Sequence, residues 1–587
     1  MKRIPRALLL ATCYSLLATT APADDRVGEQ APTKPNVLFI SIDDLNDWIG
    51  CLEGNPQSIT PNFDRLAASG MLFTNAHCVA PACNPSRTAV MTGRSTHKTG
   101  VYDNGQKMRD VLPNEKILPK YFSDHGYWAG GSGKILHYFT DARSWHEYFP
   151  KKESENPFPP TYYPSKRPVS LPRGGPWQYN ETDWGPMPVD DKTFGGDYSV
   201  TEYVSKKLSK KHDKPFFLAC GIYRPHEPWF VPQKYFDKFP LENIKLPPAY
   251  KANDLEDLPQ AGKNTGRNRY FAHIQKHGQW KKGVQGYLAS IHFADAMLGR
   301  VLGALEKGPN KNNTIVILWS DHGWHLGSKE HWQKYTAWRA CTRIPFMLKV
   351  PAKLSKALPQ GIAPGSTCDQ PVSLISVFPT LTELCGLPAK PNVDGRSVVP
   401  LLKDPNKPLD PVAITYLHKV GSIGISGKDW RYVRYADKSE ELYHIKTDPY
   451  EWNNLIATPE LAAKHQEKLN EFRKHIPAHF VPKPQVKPRD LAPLTWTPHN
   501  PNKKTPHSKP DGGVMRLAFI NRRGEPVQFH LVTMDGRQLL KGTIPAKTVR
   551  EIKARPGQVW LITTKDGKKL GHFTHGDRSS KAVIPNK

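Results

Sequence analysis

Cys83-Asn84-Pro85-Ser86-Arg87, followed by Thr88-Ala89-Val90-Met91-Thr92-Gly93-Arg94, sets a thiol, a hydroxyl and a guanidinium at the head of a short apolar helix. Pro85 suits the first helical turn, because its missing N–H would be unpaired there anyway. Ser86 and Arg87 then project from the positive end of the helix, where unpaired N–H groups and the helix dipole favour an anion. A Cys-x-Pro on its own reads first as a buried free cysteine in front of an ordinary helix. Further polar clusters follow apolar runs: Asp43-Asp44 after 36–42, Lys134 and His137 after 127–133, His226 after 215–222, and Asp321-His322 after 314–319, with Trp332-Gln333-Lys334-Tyr335 shortly beyond. Adjacent carboxylates at the end of a buried strand are costly unless a cation lies between them, and a metal is the natural candidate. The alternative is a solvated turn or helix cap. Lys134-x-x-His137 alone reads first as an exposed basic turn, and His226 between Pro225 and Pro228 as either a stacked core histidine or a positioned acid.

The elements that must position these groups are themselves legible. The runs at 36–42, 215–222 and 314–319 are short and nearly all apolar, as expected of central strands buried on both faces, and 127–133 and 344–350 also read as strands. Helices are predicted near 61–69, 118–124, 284–307 and 373–385, the third with the clearest amphipathic spacing. Strand, polar cluster and helix recur in that order, which predicts an open α/β sheet with its site outside the carboxyl ends of the strands. Residues 143–196, rich in Pro, Gly, Trp and Tyr, read as a surface insertion, and 252–282 as a basic loop that is either solvated or gathers an anionic substrate. From 412 to 455 the strands shorten and alternate, which predicts a small antiparallel subdomain closed by a helix near 459–475. Residues 478–512, rich in Pro, Lys and Asn, read as a flexible linker, and 513–587, with Gly-containing turns between short strands, as a separate small β-sandwich.

A chain of 587 residues is too long for one ordinary core. Lys2, Arg3 and Arg6, the apolar run 7–18 and Ala21-Pro22-Ala23 have the layout of a secretory signal peptide over 1–23, so export to the periplasm or the medium is expected, with cleavage near Ala23. No later segment reads as a membrane span. Beyond Cys13 in the leader and Cys83, six cysteines remain, Cys51, Cys78, Cys220, Cys341, Cys368 and Cys385, which do not form a disulfide framework in so large a chain. The formal charge of +28 implies a polyanionic partner or simply a basic proteome. Export and the lack of a nucleic-acid-binding motif favour a sulfated polysaccharide over nucleic acid.

The twelve residues from Cys83 resemble the sulfatase family's motif, Cys or Ser-x-Pro-Ser-Arg-x-x-x-Leu or Met-Thr-Gly-Arg, at every fixed position. Asp43-Asp44-Leu45, Gly133-Lys134-x-x-His137, Pro225-His226-x-Pro228, Ser320-Asp321-His322-Gly323-Trp324 and Trp332-x-Lys334-Tyr335 extend the resemblance over about 34–475, in detail to the iduronate-2-sulfatase branch. The resemblance implies an alkaline-phosphatase-like α/β catalytic domain over 34–410 with a small antiparallel C-terminal subdomain over 411–477. It implies that a maturation enzyme oxidises Cys83 to formylglycine, and that residue 83 with Asp43, Asp44, Asp321 and His322 binds one calcium ion. His322 stands where many sulfatases have Asn, and calcium prefers oxygen ligands. A sulfate ester is already anionic, so the metal, Arg87, Lys134 and Lys334 would cancel its charge as a hydroxyl of the hydrated formylglycine attacks sulfur. His226, assisted by Lys334, would protonate the leaving alcohol, and His137 would take a proton from the second hydroxyl to expel sulfate. A phosphodiesterase or phosphonate hydrolase of the same fold, and an inactive polysaccharide-binding protein, are the competing readings. In the C-terminal segment, Phe519-x-Asn521-Arg522, Asp535-Gly536 and Gly557-x-Val559-Trp560 resemble, over a short span, the von Hippel–Lindau β domain.

Overall fold

The computed structural model describes residues 34–151, 157–162, 171–172, 182–509, 514–555, 557–576 and 578–586. The expected leader at 1–23 and parts of the 143–196 insertion lie outside the described residues. Eight strands form the main sheet: β1 (Asn36–Ile42), β2 (Met71–Phe73), β3 (Trp128–Gly133), β4 (Glu147–Phe149), β5 (Phe216–Ile222), β6 (Thr314–Ser320), β7 (Phe346–Lys349) and β8 (Ser366–Cys368). Their order is β8-β2-β7-β6-β1-β5-β3-β4. Strands β6, β1, β5 and β3 run parallel as successive neighbours, while β7 is antiparallel to β6. Register places Ile42 beside Ile222 and Ser320, and Gly133 beside Gly221. Asp43, Lys134, Tyr223 and Asp321 therefore all leave the sheet at one edge.

Every residue of β1, β5 and β6 is buried, because helices cover both faces. The helices are α1 (Pro61–Ala68), α2 (Cys83–Thr92), α3 (Leu118–Asp124), α4 (Asp197–Leu208), α5 (Trp280–Lys307) and α6 (Val377–Leu384). Val37 and Phe39 of β1 pack with α2, α3 and α6; Leu38, Ile40 and Ile42, pointing the other way, pack with α1, α4 and α5. The 28-residue α5 is, by length and composition, apolar enough to cross a membrane, contrary to the reading that no such segment occurs. In this fold 67% of its most apolar window is buried, since α5 packs against α1, α4 and the strand Trp229–Pro232 at once. All described cysteines are free thiols.

An antiparallel sheet of β9 (Ala413–Tyr416), β10 (Ile423–Ser426), β11 (Trp430–Arg434) and β12 (Glu440–His444) follows. The C-terminal strands are β13 (Ala492–Pro493), β14 (Thr497–Pro498), β15 (Met515–Asn521), β16 (Val527–Val532), β17 (Gln538–Ile544), β18 (Val549–Ala554), β19 (Val559–Thr563), β20 (Lys569–Thr574) and β21 (Ser580–Ile584). They form two sheets, β13-β21-β15-β18 and β14-β20-β19-β16-β17, which enclose a core that includes Phe519, Phe529, Trp560 and Phe573.

The stretch expected as a flexible linker has defined partners on both sides. The Val481 N–H donates to the His97 carbonyl at 2.8 Å, Tyr102 donates its hydroxyl to the Val481 carbonyl at 3.0 Å, and Lys483 meets Asp103 at 2.8 Å. Further on, β13 and β14 add one short strand to each C-terminal sheet. Proline lacks the N–H that a long ladder needs, so this strap pairs two residues at a time and shows no period in the sequence.

Candidate active site

Cys83 opens α2 with all ten residues of that helix buried. The helix stops at Gly93, whose φ of 72° favours glycine, and a Cβ there would lie 2.7 Å from Val393. The Cys83 Sγ lies 3.1 Å from Lys334 Nζ, 3.3 Å from His322 Nε2, 3.6 Å from Lys134 Nζ and 3.8 Å from Asp44 Oδ1. Lys134 is delivered by Gly133, where φ is 76° and a Cβ would meet the Gly221 carbonyl at 2.0 Å. Its ammonium pairs with Asp43 and sits 5.1 and 5.3 Å from the ring centroids of Tyr138 and Tyr223. Lys334 pairs with Asp44 Oδ1 at 2.9 Å. The Arg87 guanidinium donates to Asp321 Oδ2 at 2.8 Å and Asp43 Oδ1 at 3.0 Å, and to the Lys134 carbonyl at 2.5 Å. All three of its nitrogens thus face protein acceptors, so it clamps three strand ends together rather than reaching outward.

His226 Nδ1 lies 2.6 Å from the Glu227 carbonyl, its ring stacks on Tyr223 at 4.7 Å, and its Nε2 lies 3.7 Å from Asp44 Oδ2. Among the described residues His137 makes neither a hydrogen bond nor an ion pair with the cluster. It packs edge-on against Tyr138, and its Nδ1 is buried without a hydrogen-bond partner among those residues.

Three buried carboxylates, Asp43, Asp44 and Asp321, face three buried cations, Arg87, Lys134 and Lys334. Burial pushes carboxylates up, but Lys134 and Arg87 hold Asp43 below its ordinary range, and Arg87 with His322 holds Asp321 well below. Burial wins at Asp44, which is pushed up against the pull of Lys334 and His322. Burial also opposes the charged amines, yet Asp43 keeps Lys134 protonated and Asp44 keeps Lys334 so. His137 and His226 are pushed down by burial and by Lys134, and His322 by burial with Lys334 adding to it.

Two observations fit a hard divalent cation here. Asp44 Oδ2 is buried with no hydrogen-bond partner among the described residues, which is rare for a carboxylate oxygen unless an ion completes it. Asp44, Cys83, Asp321 and His322 offer ligand atoms that all lie within 4.8 Å of one another, as do Asp43, Asp44 and His226. His322 Nδ1 lies 3.0 Å from the Gly323 carbonyl, which fixes the proton there and turns the Nε2 lone pair inward. Asp44 itself has φ 59°, a left-handed conformation held by its N–H to Asp321 Oδ1 at 3.1 Å and by the Tyr287 hydroxyl on its carbonyl at 2.8 Å.

The sulfatase family model matches residues 35–387, and that of the N-sulphoglucosamine sulphohydrolase C-terminal region matches 327–475. The chain belongs to the sulfatase family. A sulfatase of Formosa agariphila is 38% identical over 72% of this chain and 83% of its own. Mouse iduronate 2-sulfatase is 33% identical over 62% of this chain and 71% of its own. Among solved structures, the phosphonate monoester hydrolase of Agrobacterium radiobacter has a TM-score of 0.60 at 21% identity, covering 76% of this chain and 96% of that one, and shares the alkaline-phosphatase-like fold. This sulfatase is therefore a sulfuric ester hydrolase. Both family models end before residue 476, so the C-terminal β unit lies outside them.

Sequence reasoning missed the residues that hold the sulfatase site's own ligands in place. Ser41 Oγ bridges the Lys134 carbonyl and Arg87, and Tyr287 on α5 fixes Asp44. The turn that brings Lys334 in has positive φ at Lys329, Glu330, Gln333 and Tyr335, and His331 Nε2 lies 2.9 Å from the Lys334 carbonyl. Asn104 accepts the Asn84 N–H at 2.9 Å and donates to the Tyr335 hydroxyl at 3.1 Å. Tyr335 stood inside a recognised motif; Ser41, Tyr287 and Asn104 carry no local signal, because only the fold brings them close.

Proposed function

We propose that this protein is an exported sulfatase acting on a sulfated polysaccharide or oligosaccharide, through formylglycine made from Cys83 and with one calcium ion. The observation that carries the reading is the Cys83 thiol, buried at the head of α2 with Lys334, Lys134 and His322 all within 3.6 Å of its sulfur. That surrounding suits a group on which negative charge develops. The likeness to iduronate 2-sulfatase supports a sulfated sugar, and the charge of +28 supports a polyanion. The composition of 1–23 supports export.

Oxidised residue 83 supplies a hydroxyl nucleophile toward sulfur, and its aldehyde state lets sulfate leave without water attacking sulfur. Because α2 is wholly buried, the maturation enzyme must read Cys83-x-Pro85-x-Arg87 before the chain folds. A calcium ion held by Asp43, Asp44, residue 83, Asp321 and His322 would supply the positive charge that the balanced set of three carboxylates and three cations lacks. Lys134 and Lys334 stay protonated and face the sulfate. Arg87 acts on the substrate only through Asp43 and Asp321. His226, with Lys334 beside it, hands a proton to the leaving alcohol from Nε2 once an anionic substrate offsets Lys134 and burial. Neutral His137 takes a proton from the side chain of residue 83, for which its unpartnered Nδ1 is available.

Release of inorganic sulfate from a panel of sulfated oligosaccharides, set beside phosphate diesters and phosphonate esters, tests the reading. Sulfate esters should be turned over best. Faster turnover of a phosphonate ester, or no sulfate release from any substrate, would overturn it.

A further inference from the structure

Residues 478–587 contain 21 Lys and Arg against seven Asp and Glu, so half of the chain's formal +28 falls on its last 110 residues. This charge is not remote from the catalytic half. The β unit forms one wall of a cleft of about 400 Å3, with Arg516, Lys553 and Ser579 facing Lys107 and Asp110 across it and Pro484 and Val486 of the strap between them. A volume of this size lies within the range of roughly 300–1,000 Å3 usual for small-ligand sites. Arg516 is fixed by Glu551 at 2.9 Å and by the Val486 carbonyl at 2.9 Å. Among the described residues neither Lys107 nor Lys553 pairs with a carboxylate, and Val514 on the rim is 48% exposed, an apolar surface beside the cations.

One lining residue ties the cleft to the active site. Asn104, which lines it, contacts Asn84 and Tyr335, the neighbours in sequence of Cys83 and Lys334. Lys107 is near enough to His137 to add to the charges that keep that imidazole neutral.

We propose that this cleft is a second substrate subsite, in which the β unit holds an anionic sugar further along the glycan whose sulfate ester lies at residue 83. The inference rests on the glycan reading above. Two points of attachment on one chain raise the effective concentration of the second, so the β unit strengthens binding only for substrates long enough to span both. Its contribution is electrostatic and solvent-accessible, and salt weakens it.

The test uses the full chain carrying Cys83→Ala, so that binding is read without turnover, titrated with sulfated oligosaccharides of increasing length. Adding Lys553→Glu, or separately Lys107→Gln, should weaken binding of the long oligosaccharides about tenfold, on the scale of a reversed charge contact, and that of a sulfated monosaccharide far less. In the active protein the ratio of kcat/KM for long over short substrates should fall in parallel, through KM. Equal affinity in the parent and in both double variants would overturn the subsite, even if sulfate release is normal. Displacement of the oligosaccharide by single-stranded DNA of equal charge at equal concentration would overturn its assignment to a glycan. Absence of sulfate release from every ester would instead refute the enzymatic reading, while the length-dependent binding still stands or falls by itself.

Discussion

The α/β sheet and the C-terminal β unit handle charge in opposite ways. In the sheet, the strands that matter are buried on both faces and run out into ionic groups, so Arg87, Lys134 and Lys334 are buried against Asp43, Asp44 and Asp321. In the β unit the central β19 is buried throughout, but the outer strands are not; β17 is exposed at five of its first six positions, and pairs such as Arg537–Asp535 stand in water. A buried ion lacks any substitute for its partner, whereas an exposed one has solvent. Each charge in the first region is therefore individually required, while charge in the second acts by number and position.

The largest effect expected is at residue 83. Cys83→Ala should lower kcat/KM for any sulfate ester by at least about 10^4-fold, since groups that act as a unit lose nearly everything when the nucleophile goes. Exhaustive removal of divalent cations should cost at least about a hundredfold in kcat, several kcal/mol of charge stabilisation being at stake, and restoring calcium should recover it. His137→Ala should lower kcat about 10^2 to 10^4-fold. Because burial and Lys134 hold His137 well below 6.5, it is neutral at pH 7 and becomes protonated only as pH falls further. The kcat profile should thus stay flat down to pH 6.5 and drop at lower pH, and the His137→Ala variant should lose that limb.

Stability sharpens the same contrast. Arg87→Met leaves Asp43 and Asp321 buried without their shared cation and should destabilise the fold by about 3–5 kcal/mol in denaturant melts. Arg537→Ala, which removes an exposed pair in the β unit, should change stability by less than about 1 kcal/mol. A reversal of that order would mean that the buried cluster is held by something other than its ion pairs.

The same contrast explains what was legible in the sequence. Strands β1, β5 and β6 announce themselves because burial on both faces forces a continuous apolar run, and the abrupt switch to Asp43 or Asp321 marks the strand end. The catalytic motifs could therefore be placed on one edge before any coordinates. Tyr287 and Ser41 were invisible, since their roles depend on which helix packs beside β1 rather than on spacing. The strap at 478–509 misled for a different reason: proline-rich composition is shared by tethers and by short two-residue pairings such as β13 and β14. In the β unit, β17 and β18 went unread because exposed strands keep little apolar alternation.

Activity turns on the chemistry of residue 83, and mass spectrometry of the peptide containing it tests that most directly. In preparations that differ in specific activity, the fraction of that peptide carrying a hydrazide-reactive aldehyde in place of the thiol should rise in proportion to sulfate release. A fully active preparation in which Cys83 is entirely unmodified thiol would contradict the account.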